Sequence, residues 1–243
     1  MMKPVIIFKN AAFSYPYRAV PALRDFSVVC EGASIYAVIG PNGGGKSTFL
    51  QLCAGLLHAQ SGTVAVSERP AYLPQQERIV FAFSVLEYVL FGRAPYLPLL
   101  QVPTASDEDL AQSHLTTLGI AHLANKRITE VSGGELQLIR FARILAQESS
   151  IYLLDEPTDM LDPAHVVAIT KLIQEERARG KLIVMATHDL LAAQHCADYV
   201  VMIKRGKLQS CSPSETSFTE EQISALFDIP MHYTKALMPA ELS

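Results

Sequence analysis

The sequence predicts an α/β fold that is interrupted by a helical insertion. Short apolar runs suited to strands alternate with helical patterns near both ends of the chain, which is typical of a mixed or parallel sheet covered by helices. Between Gln75 and Ser150 the strand pattern disappears and helical patterns replace it. We therefore expect a single domain over residues 1–243, with a sheet-containing core (1–78 and 148–243) and a helical subdomain (79–147).

Seven strands can be placed in order from their apolar runs, at 4–8, 26–30, 34–39, 62–66, 151–154, 181–186 and 198–203. Helices of the insertion are expected near 84–92, 107–118 and 134–147, and a short helix is expected at 218–227. Ser106 is the expected N-cap of the second of these helices, because acidic residues follow it in the first turn. Thr219 and Gln222 have the spacing of a capping box.

Composition narrows the functional classes. Of the 243 residues, 49% are apolar and 18% are charged, which indicates either a large buried sheet or a surface that a partner covers. The net charge of -4 argues against nucleic acid as a partner. We expect no export leader, because no charged region followed by an apolar stretch and a cleavage site opens the sequence. We also expect no membrane span, since the most apolar stretch, 80–102, is interrupted by charges and prolines. The four scattered cysteines are expected to be reduced thiols in a cytoplasmic protein.

The stretch GPNGGGKST follows the predicted strand at 34–39 and precedes a helical pattern. It matches GxxxxGK[ST], in which glycines let backbone N–H groups approach phosphate oxygens. Lys46 can reach the β- and γ-phosphates of a nucleotide, and the Ser47 hydroxyl can bind Mg²⁺. The alternative is a glycine-rich turn without a ligand. We predict a nucleoside triphosphate site and call it the phosphate loop: Gly40, Pro41, Asn42, Gly43, Gly44, Gly45, Lys46, Ser47 and Thr48.

Two acidic residues, Asp155 and Glu156, follow the predicted strand at 151–154, at the edge where open α/β sheets bind ligands. Asp155 is expected to hold Mg²⁺ through water, and Glu156 is placed to orient or deprotonate an attacking water. Alone, such a pair is more often a helix cap or a solvated turn. The phosphate loop makes the catalytic interpretation the better one.

His188 follows the predicted strand at 181–186 and should lie at the same edge of the sheet. It could donate to a γ-phosphate or to the attacking water. The alternative is a structural or solvated histidine beside a helix cap at Thr187 or Asp189.

The stretch VSGGELQ, which we call the signature loop (131–137), places a serine and two glycines at the start of a predicted helix. Unpaired N–H groups and a partial positive charge at a helix N-terminus suit an anion. A flexible turn with a serine N-cap would explain the pattern equally well when it is taken alone.

This sequence resembles the nucleotide-binding subunit of ABC transporters over roughly residues 5–230. The resemblance rests on four stretches that occur in the family's order: GPNGGGKST, VSGGELQ, LLDEPTDMLD and ATHDL. The resemblance implies a RecA-like core, an ATPase that uses ATP and Mg²⁺, and two copies of the chain closing head to tail. The signature loop would then contact the γ-phosphate held by the other copy. Its contacting residues would be Ser132, Gly133, Gly134 and Glu135.

The same resemblance implies roles for residues outside these stretches. Tyr15 matches the aromatic residue that stacks on adenine, with Phe13 and Tyr17 close enough to compete for the role. Gln75 matches the glutamine that touches Mg²⁺ and the attacking water, with Gln76 the weaker candidate.

The family pattern also implies a place for two aspartates, and this sequence differs from the pattern at three positions. Asp159 and Asp162 would lie in a loop at the dimer interface, although Asp162 before Pro163 also suits an N-cap. Val131 and Glu135 are mild departures. Leu138 stands where arginine is common, so a charge is missing from the signature helix.

The resemblance also implies partners. The channel would be a separate polytopic permease on the membrane, the chain would lie at the cytoplasmic face, and a substrate-binding protein would work outside. The segment 81–98, rich in phenylalanine and tyrosine, would receive a permease helix, although part of it is expected to be ordinary core. Short strings such as VLFGRAPYLP resemble importers of iron chelates, haem or cobalamin, with zinc, manganese and molybdate importers close competitors.

Other classes fit less well. A soluble ABC ATPase acting on ribosomes or DNA, or the ATPase of an exporter, would share the same core. Ribosome-associated members carry two cassettes, and DNA-repair members separate the phosphate and signature loops by a long coiled coil. A P-loop kinase or small GTPase would explain GPNGGGKST but not VSGGELQ.

Overall fold

Nine strands and eight α-helices form the part of the chain that this computed structural model describes, residues 3–17, 20–98, 101–159 and 161–232. The strands are β1 (Val5–Phe13), β2 (Leu23–Glu31), β3 (Ile35–Ile39), β4 (Ser61–Val66), β5 (Ala71–Leu73), β6 (Ile151–Asp155), β7 (Leu182–Ala186), β8 (Tyr199–Lys204) and β9 (Lys207–Pro213). The α-helices are α1 (Lys46–Cys53), α2 (Val85–Leu90), α3 (Ala105–Thr117), α4 (Gly133–Leu145), α5 (Pro163–Ala178), α6 (Leu190–Cys196), α7 (Ser214–Ser217) and α8 (Glu220–Phe227). Short 3-10 helices occur at Phe91–Tyr96, Ala121–Leu123 and Ile128–Glu130.

The larger sheet has six strands in the order β5-β6-β7-β3-β8-β9. The first five in this order are parallel, and β9 pairs antiparallel with β8. Every residue of β3, β6 and β7 is buried, because helices or the second sheet cover both faces. The predicted α/β fold with a mixed sheet is confirmed.

The smaller sheet is antiparallel, in the order β2-β1-β4. It packs on α1, where the Phe49 ring lies 4.9 Å from Phe8 and 5.4 Å from Phe26, centre to centre. The other side of α1 shares an apolar cluster with one face of the larger sheet. The helix that follows the phosphate loop is therefore held between two sheets.

The opposite face of the larger sheet shares a second apolar cluster with α5, α6 and α8. This cluster continues into α2, α3 and α4, which contribute buried residues such as Val85, Leu115 and Leu138. The helices of the insertion are thus packed on the sheet through one apolar core. The boundaries at 79 and 147 stay a prediction.

Two strands were not anticipated. Residues 71–73 form a strand too short to show any periodicity. Residues 207–213 alternate between half-buried and exposed along the sheet edge, and their polar side chains hide the pattern. The seven predicted strands are present, and the first two extend further than expected.

The helix caps correct one expectation. The N-cap of α3 is Thr104 and not Ser106, since Thr104 forms both hydrogen bonds of a capping box with Asp107. Ser106 lies inside the first turn, and its hydroxyl contacts the Thr104 hydroxyl at 2.8 Å. The reciprocal pairing with an acid three residues later makes Thr104 the better cap.

Two other helices also have side-chain N-caps, but the capping box predicted at α8 is only half formed. Asp162 caps α5, one of the two roles considered for it, and accepts a hydrogen bond from the His165 N–H at 3.0 Å. Thr219 caps α8 and accepts from the Gln222 N–H at 3.2 Å. The return bond of a capping box, from the Thr219 N–H to the Gln222 side-chain oxygen, is not formed between these two described residues.

Within the described ranges, no helix is long and apolar enough to cross a bilayer. All four cysteines are free thiols: Cys30, Cys53 and Cys196 are buried, and Cys211 is exposed. Burial raises the pKa of the Cys196 thiol to about 12, so the thiol is protonated at neutral pH.

Candidate active site

Four predicted segments meet at one edge of the larger sheet. Neighbouring parallel strands β6, β7 and β3 lead at their carboxyl ends to Glu156, His188 and the phosphate loop, and β5 beside them leads to Gln75. A cavity of about 800 Å³ lies there. Nine predicted site residues line it: Tyr15, Asn42, Gly43, Gly45, Lys46, Ser47, Thr48, Gln75 and Glu156.

The curve of the phosphate loop depends on glycine at two positions. Gly40 has φ +151°, and a Cβ there would lie 1.9 Å from the Ile203 carbonyl oxygen of β8. Gly45 has φ +117°, and a Cβ there would lie 2.6 Å from the Ala22 carbonyl oxygen. The loop is also tied to the β8–β9 turn, because the Gly206 N–H donates to the Gly44 carbonyl at 2.8 Å. A side chain at either position would push the loop away from its support.

Lys46 is the first residue of α1 and is buried. Its ammonium donates to the Gly40 carbonyl at 2.8 Å and to the Pro41 carbonyl at 3.4 Å, so the side chain folds back along the loop. Burial lowers the pKa of Lys46, while the nearby Glu156 and Asp155 raise it. A positive charge is therefore held beside two carboxylates at the cavity wall.

Asp155, the last residue of β6, is buried beside Ser47. Burial raises its pKa, and a hydrogen bond with the Ser47 side chain opposes the rise. Ser47 and Gln75 line the cavity, and Asp155 is hydrogen-bonded to Ser47 just behind it. Hydroxyl, carboxylate and amide oxygens are ligands of the kind that Mg²⁺ prefers. Within the described ranges, this site included, no group of three or more His, Cys, Asp or Glu side chains is arranged to hold a metal.

Glu156 occupies a strained position. Its φ is +53°, in the left-handed region that a glutamate rarely adopts, and its N–H donates to the Ala186 carbonyl of β7 at 2.9 Å. The carboxylate is buried, and its Oε2 lies 2.8 Å from the His188 Nδ1 and accepts from the His188 N–H at 3.2 Å. The structure therefore brings Glu156 and His188 into direct contact. Asp189 is the N-cap of α6, one of the alternatives for this stretch.

Tyr15 is the aromatic candidate that lies at the cavity. Its hydroxyl donates to Gln51 Oε1 at 3.0 Å and contacts Thr48 Oγ1 at 3.3 Å. The Phe13 ring is buried in the core, 5.0 Å from the Tyr15 ring in an edge-to-face contact, and Tyr17 is fully exposed. Neither competitor lines the cavity.

The signature loop is arranged differently from the other segments. Ser132 caps α4 and forms a full capping box with Glu135, whose carboxylate accepts from the Ser132 N–H at 2.7 Å. That bond lowers the pKa of Glu135. A Cβ at Gly133 would meet no atom within 4 Å, so the helix start is open. None of Ser132, Gly133, Gly134 and Glu135 lines the cavity of its own chain.

Sequence reasoning missed several residues at the site. Val20, Pro21, Ala22 and Arg205 line the cavity from loops that carry no recognisable pattern. Arg140 of α4 donates to the carbonyls of Pro74 and Gln75, and to Gln137 Oε1 at 2.8 Å. The spacing of Gln137 and Arg140, three residues apart on one predicted helix, was the available signal.

Comparison with known proteins gives consistent results. A model of the ABC transporter family matches residues 23–159. The manganese transport system ATP-binding protein of Bacillus subtilis (strain 168) is 32% identical over 235 residues, covering 93% of this chain and 94% of that protein. The hemin import ATP-binding protein of Nocardia farcinica is 32% identical over 240 residues, covering 93% and 82%. A solved ABC transporter assigned to the metal-chelate type, in an inward-facing conformation, has a TM-score of 0.85 at 30% identity, covering 93% and 90% of the two chains.

Proposed function

Because this chain belongs to the ABC transporter family, we propose that it powers a membrane importer for a metal ion, a metal chelate or haem. As the ATP-binding subunit of such a system, it binds and hydrolyses ATP. The choice of cargo rests on the relatives, which are named for manganese and hemin, and on the metal-chelate type of the solved transporter. The observation that carries the ATPase proposal is the meeting of Lys46, Glu156 and Gln75 at one cavity.

In this proposal each residue at the cavity has a defined task. Tyr15 stacks on the adenine, and the backbone of the phosphate loop with Lys46 holds the phosphates. Ser47, Asp155 and Gln75 would hold Mg²⁺. When bound, Mg²⁺ would supply positive charge that stabilises the negative charge developing on the phosphate oxygens.

Glu156 and His188 provide the acid–base function. The Glu156 carboxylate, held in place by its strained backbone and by His188, accepts a hydrogen bond from the attacking water and orients it. His188 is more than half exposed and can turn from Glu156 toward the γ-phosphate when the nucleotide arrives. The contact that joins the two side chains keeps both at the reacting end of the site.

The proposal requires a second copy of the chain. The signature loop presents an open, positively polarised helix N-terminus, but it lies outside the cavity of its own chain. In a head-to-tail dimer each signature loop would face the γ-phosphate held by the other copy, so two complete sites form only between two chains.

A polytopic permease would bind the aromatic patch, which we define as Val80, Phe81, Phe83, Phe91 and Tyr96. Phe81 is 68% exposed, and the ring of Phe83 lies 5.8 Å from Phe81 and 4.8 Å from Phe91. An exposed aromatic cluster of this kind suits an apolar helix face. The chain would thus lie at the cytoplasmic face of the membrane, and an extracytoplasmic substrate-binding protein would deliver the cargo.

The test is to purify the tagged chain from its native membranes in mild detergent and to identify its partners by mass spectrometry. The proposal expects a polytopic permease at equal stoichiometry and ATP hydrolysis by the complex. Recovery with ribosomes or DNA-repair proteins and without a permease would leave the ATPase intact but overturn the transport function. If the recovered permease moves its cargo outward, the chain powers an exporter and the importer proposal is wrong.

A further inference from the structure

Arg140 carries a buried positive charge on the helix that follows the signature loop. Only 6% of the residue is exposed, so the guanidinium must be compensated by protein groups. It donates to the carbonyl oxygens of Pro74 and Gln75 and to Gln137 Oε1. Its Nε lies 3.6 Å from the Glu77 carboxylate.

These acceptors belong to separate parts of the chain. Pro74, Gln75 and Glu77 form the segment that leaves β5, whereas Gln137 lies one turn before Arg140 on α4. A planar guanidinium can satisfy several acceptors in different directions at once, which a lysine ammonium on a flexible stem does less well.

Gln137 extends the connection to the catalytic turn. Its amide donates to the Pro157 carbonyl at 2.9 Å and lies 3.5 Å from the Glu156 carbonyl. One buried network therefore joins the backbone of Gln75, the turn that carries Glu156 and the signature helix. Eight residues separate Arg140 from Ser132 along α4, about 12 Å at 1.5 Å per residue.

Glu77 is fixed to the same helix from a second side. The Arg143 guanidinium donates to Glu77 Oε1 at 2.7 Å, and the Tyr88 hydroxyl donates to Glu77 Oε2 at 2.8 Å. Glu77 therefore keeps partners if Arg140 is removed. The carbonyls of Pro74 and Gln75 have no other donor among the described hydrogen bonds.

We propose that Arg140 is a positioning residue that fastens the backbone of Gln75 to the signature helix. When ATP draws the signature loop toward the other copy, α4 moves the backbone of Gln75 together with it, which sets where the Gln75 side chain lies at the nucleotide cavity. Arg140 supplies the charge that Leu138 does not, two residues further along the same helix. This inference rests on the proposed ATPase function. It assigns the residue that links the signature helix to the segment containing Gln75.

The first measurement is hydrogen–deuterium exchange of the full-length chain without nucleotide. Arg140→Met removes the guanidinium but keeps an unbranched stem, and the peptide covering residues 71–78 should exchange faster. Arg93→Met is the matched control, since Arg93 is also a mostly buried arginine of this region but binds Asp107, Glu148 and the Ala146 carbonyl instead. Unchanged exchange of residues 71–78 in Arg140→Met, or an equal change in Arg93→Met, would overturn the proposal.

The second measurement is a kinetic double-mutant cycle with Gln75→Ala. Arg140→Met should lower kcat for ATP by about tenfold with KM nearly unchanged, and should lower it no further when Gln75 is already alanine. Arg140→Lys keeps the charge but loses the planar guanidinium, so its kcat should lie between those of the wild type and Arg140→Met. It replaces the methionine variant if that variant does not fold. Equal losses in both backgrounds would show that Arg140 does not act through Gln75.

The two proposals fail separately. A wild-type chain that neither binds nor hydrolyses ATP would defeat the ATPase function, whatever the exchange data show. Normal wild-type hydrolysis with additive losses in the cycle would defeat only the role of Arg140.

Discussion

At the scale of single residues, Glu156 combines a backbone strain with a chemical role. Its positive φ is maintained by the N–H bond to the Ala186 carbonyl and by the contact of its carboxylate with His188. A glutamate with a positive φ destabilises a turn, and a solvated turn without a further role could use a glycine or asparagine at this position instead. The strain therefore favours the catalytic interpretation of this acid over a merely structural one.

We expect Glu156→Gln to slow ATP hydrolysis by at least ~10²-fold while ATP binding persists, since the amide keeps the shape but cannot act as a base. ATP-bound dimers should accumulate, which size-exclusion chromatography with light scattering would detect. Glu108→Gln, an exposed acid on α3, should hydrolyse ATP normally. A Glu156→Gln protein that stays monomeric with ATP would contradict the composite site.

At the scale of elements, the N-terminus of α4 is a well-capped helix start whose approach is also open to an anion. The capping box between Ser132 and Glu135 satisfies part of the first turn, and Gly133 leaves the approach unobstructed. The two interpretations of VSGGELQ are thus compatible. A serine that caps its helix can still border a phosphate that arrives from another chain.

Gly133→Asp should fold normally, because an acid in the first turn suits the helix dipole. It should nevertheless prevent ATP-dependent dimer formation in the Glu156→Gln background, since its carboxylate would repel the γ-phosphate. Gly133→Ala adds a Cβ into open space and should still dimerise. Light scattering with and without ATP makes the measurement, and dimers of the aspartate variant would count against a phosphate at this loop.

The first turn of α3 also carries a capping box, and its acid should make the stability of the fold depend on pH. Hydrogen bonds from Thr104 and Arg93 lower the pKa of Asp107 to about 2, from about 3.9 in an unfolded chain. A carboxylate whose pKa is lower in the folded state stabilises the fold above the unfolded value, and this stability is lost as the pH falls through the folded value.

Asp107→Asn should therefore lower the Tm at pH 7, and its difference from the wild type should narrow as the pH falls from about 4 toward 2. Glu108→Gln, at the neighbouring exposed position, should change the Tm little at any pH. Thermal unfolding followed by circular dichroism from pH 7 to about pH 2 gives the comparison. A difference that stays constant over this range would mean that the charge of Asp107 is not what stabilises α3.

At the scale of the whole molecule, the nucleotide cavity and the aromatic patch lie on different parts of the surface and are joined by the segment that contains Gln75. Phe81→Ser should weaken capture of the permease from membranes, with hydrolysis by the isolated chain unchanged, because Phe81 is exposed and lies outside the cavity. Leu56→Ser is the matched control, since Leu56 is 63% exposed and lies in the turn after α1. Equal permease recovery with both variants would remove the patch as the docking surface.

Most strands and most residues of the candidate site could be predicted from the sequence because the decisive signals are contiguous. Fully buried strands read as unbroken apolar runs, and the phosphate loop, Asp155 and His188 each follow such a run directly. What could not be predicted depends on contacts between distant segments or on competition between neighbours. Arg140 meets Gln75 only through the packing of α4, and Thr104 displaces Ser106 because Asp107 completes its capping box.

The support beneath the phosphate loop has a consequence for biosynthesis. Gly40 and Gly44, near the start of the chain, rest on Ile203 and Gly206 in the β8–β9 turn, and β3 itself lies between β7 and β8. A nascent chain has therefore made its phosphate-binding sequence long before it has the strands that shape it. Nucleotide can therefore assist the folding of this protein only after residue 206 has left the ribosome, and until then strand β3 does not have both of its neighbours in the sheet.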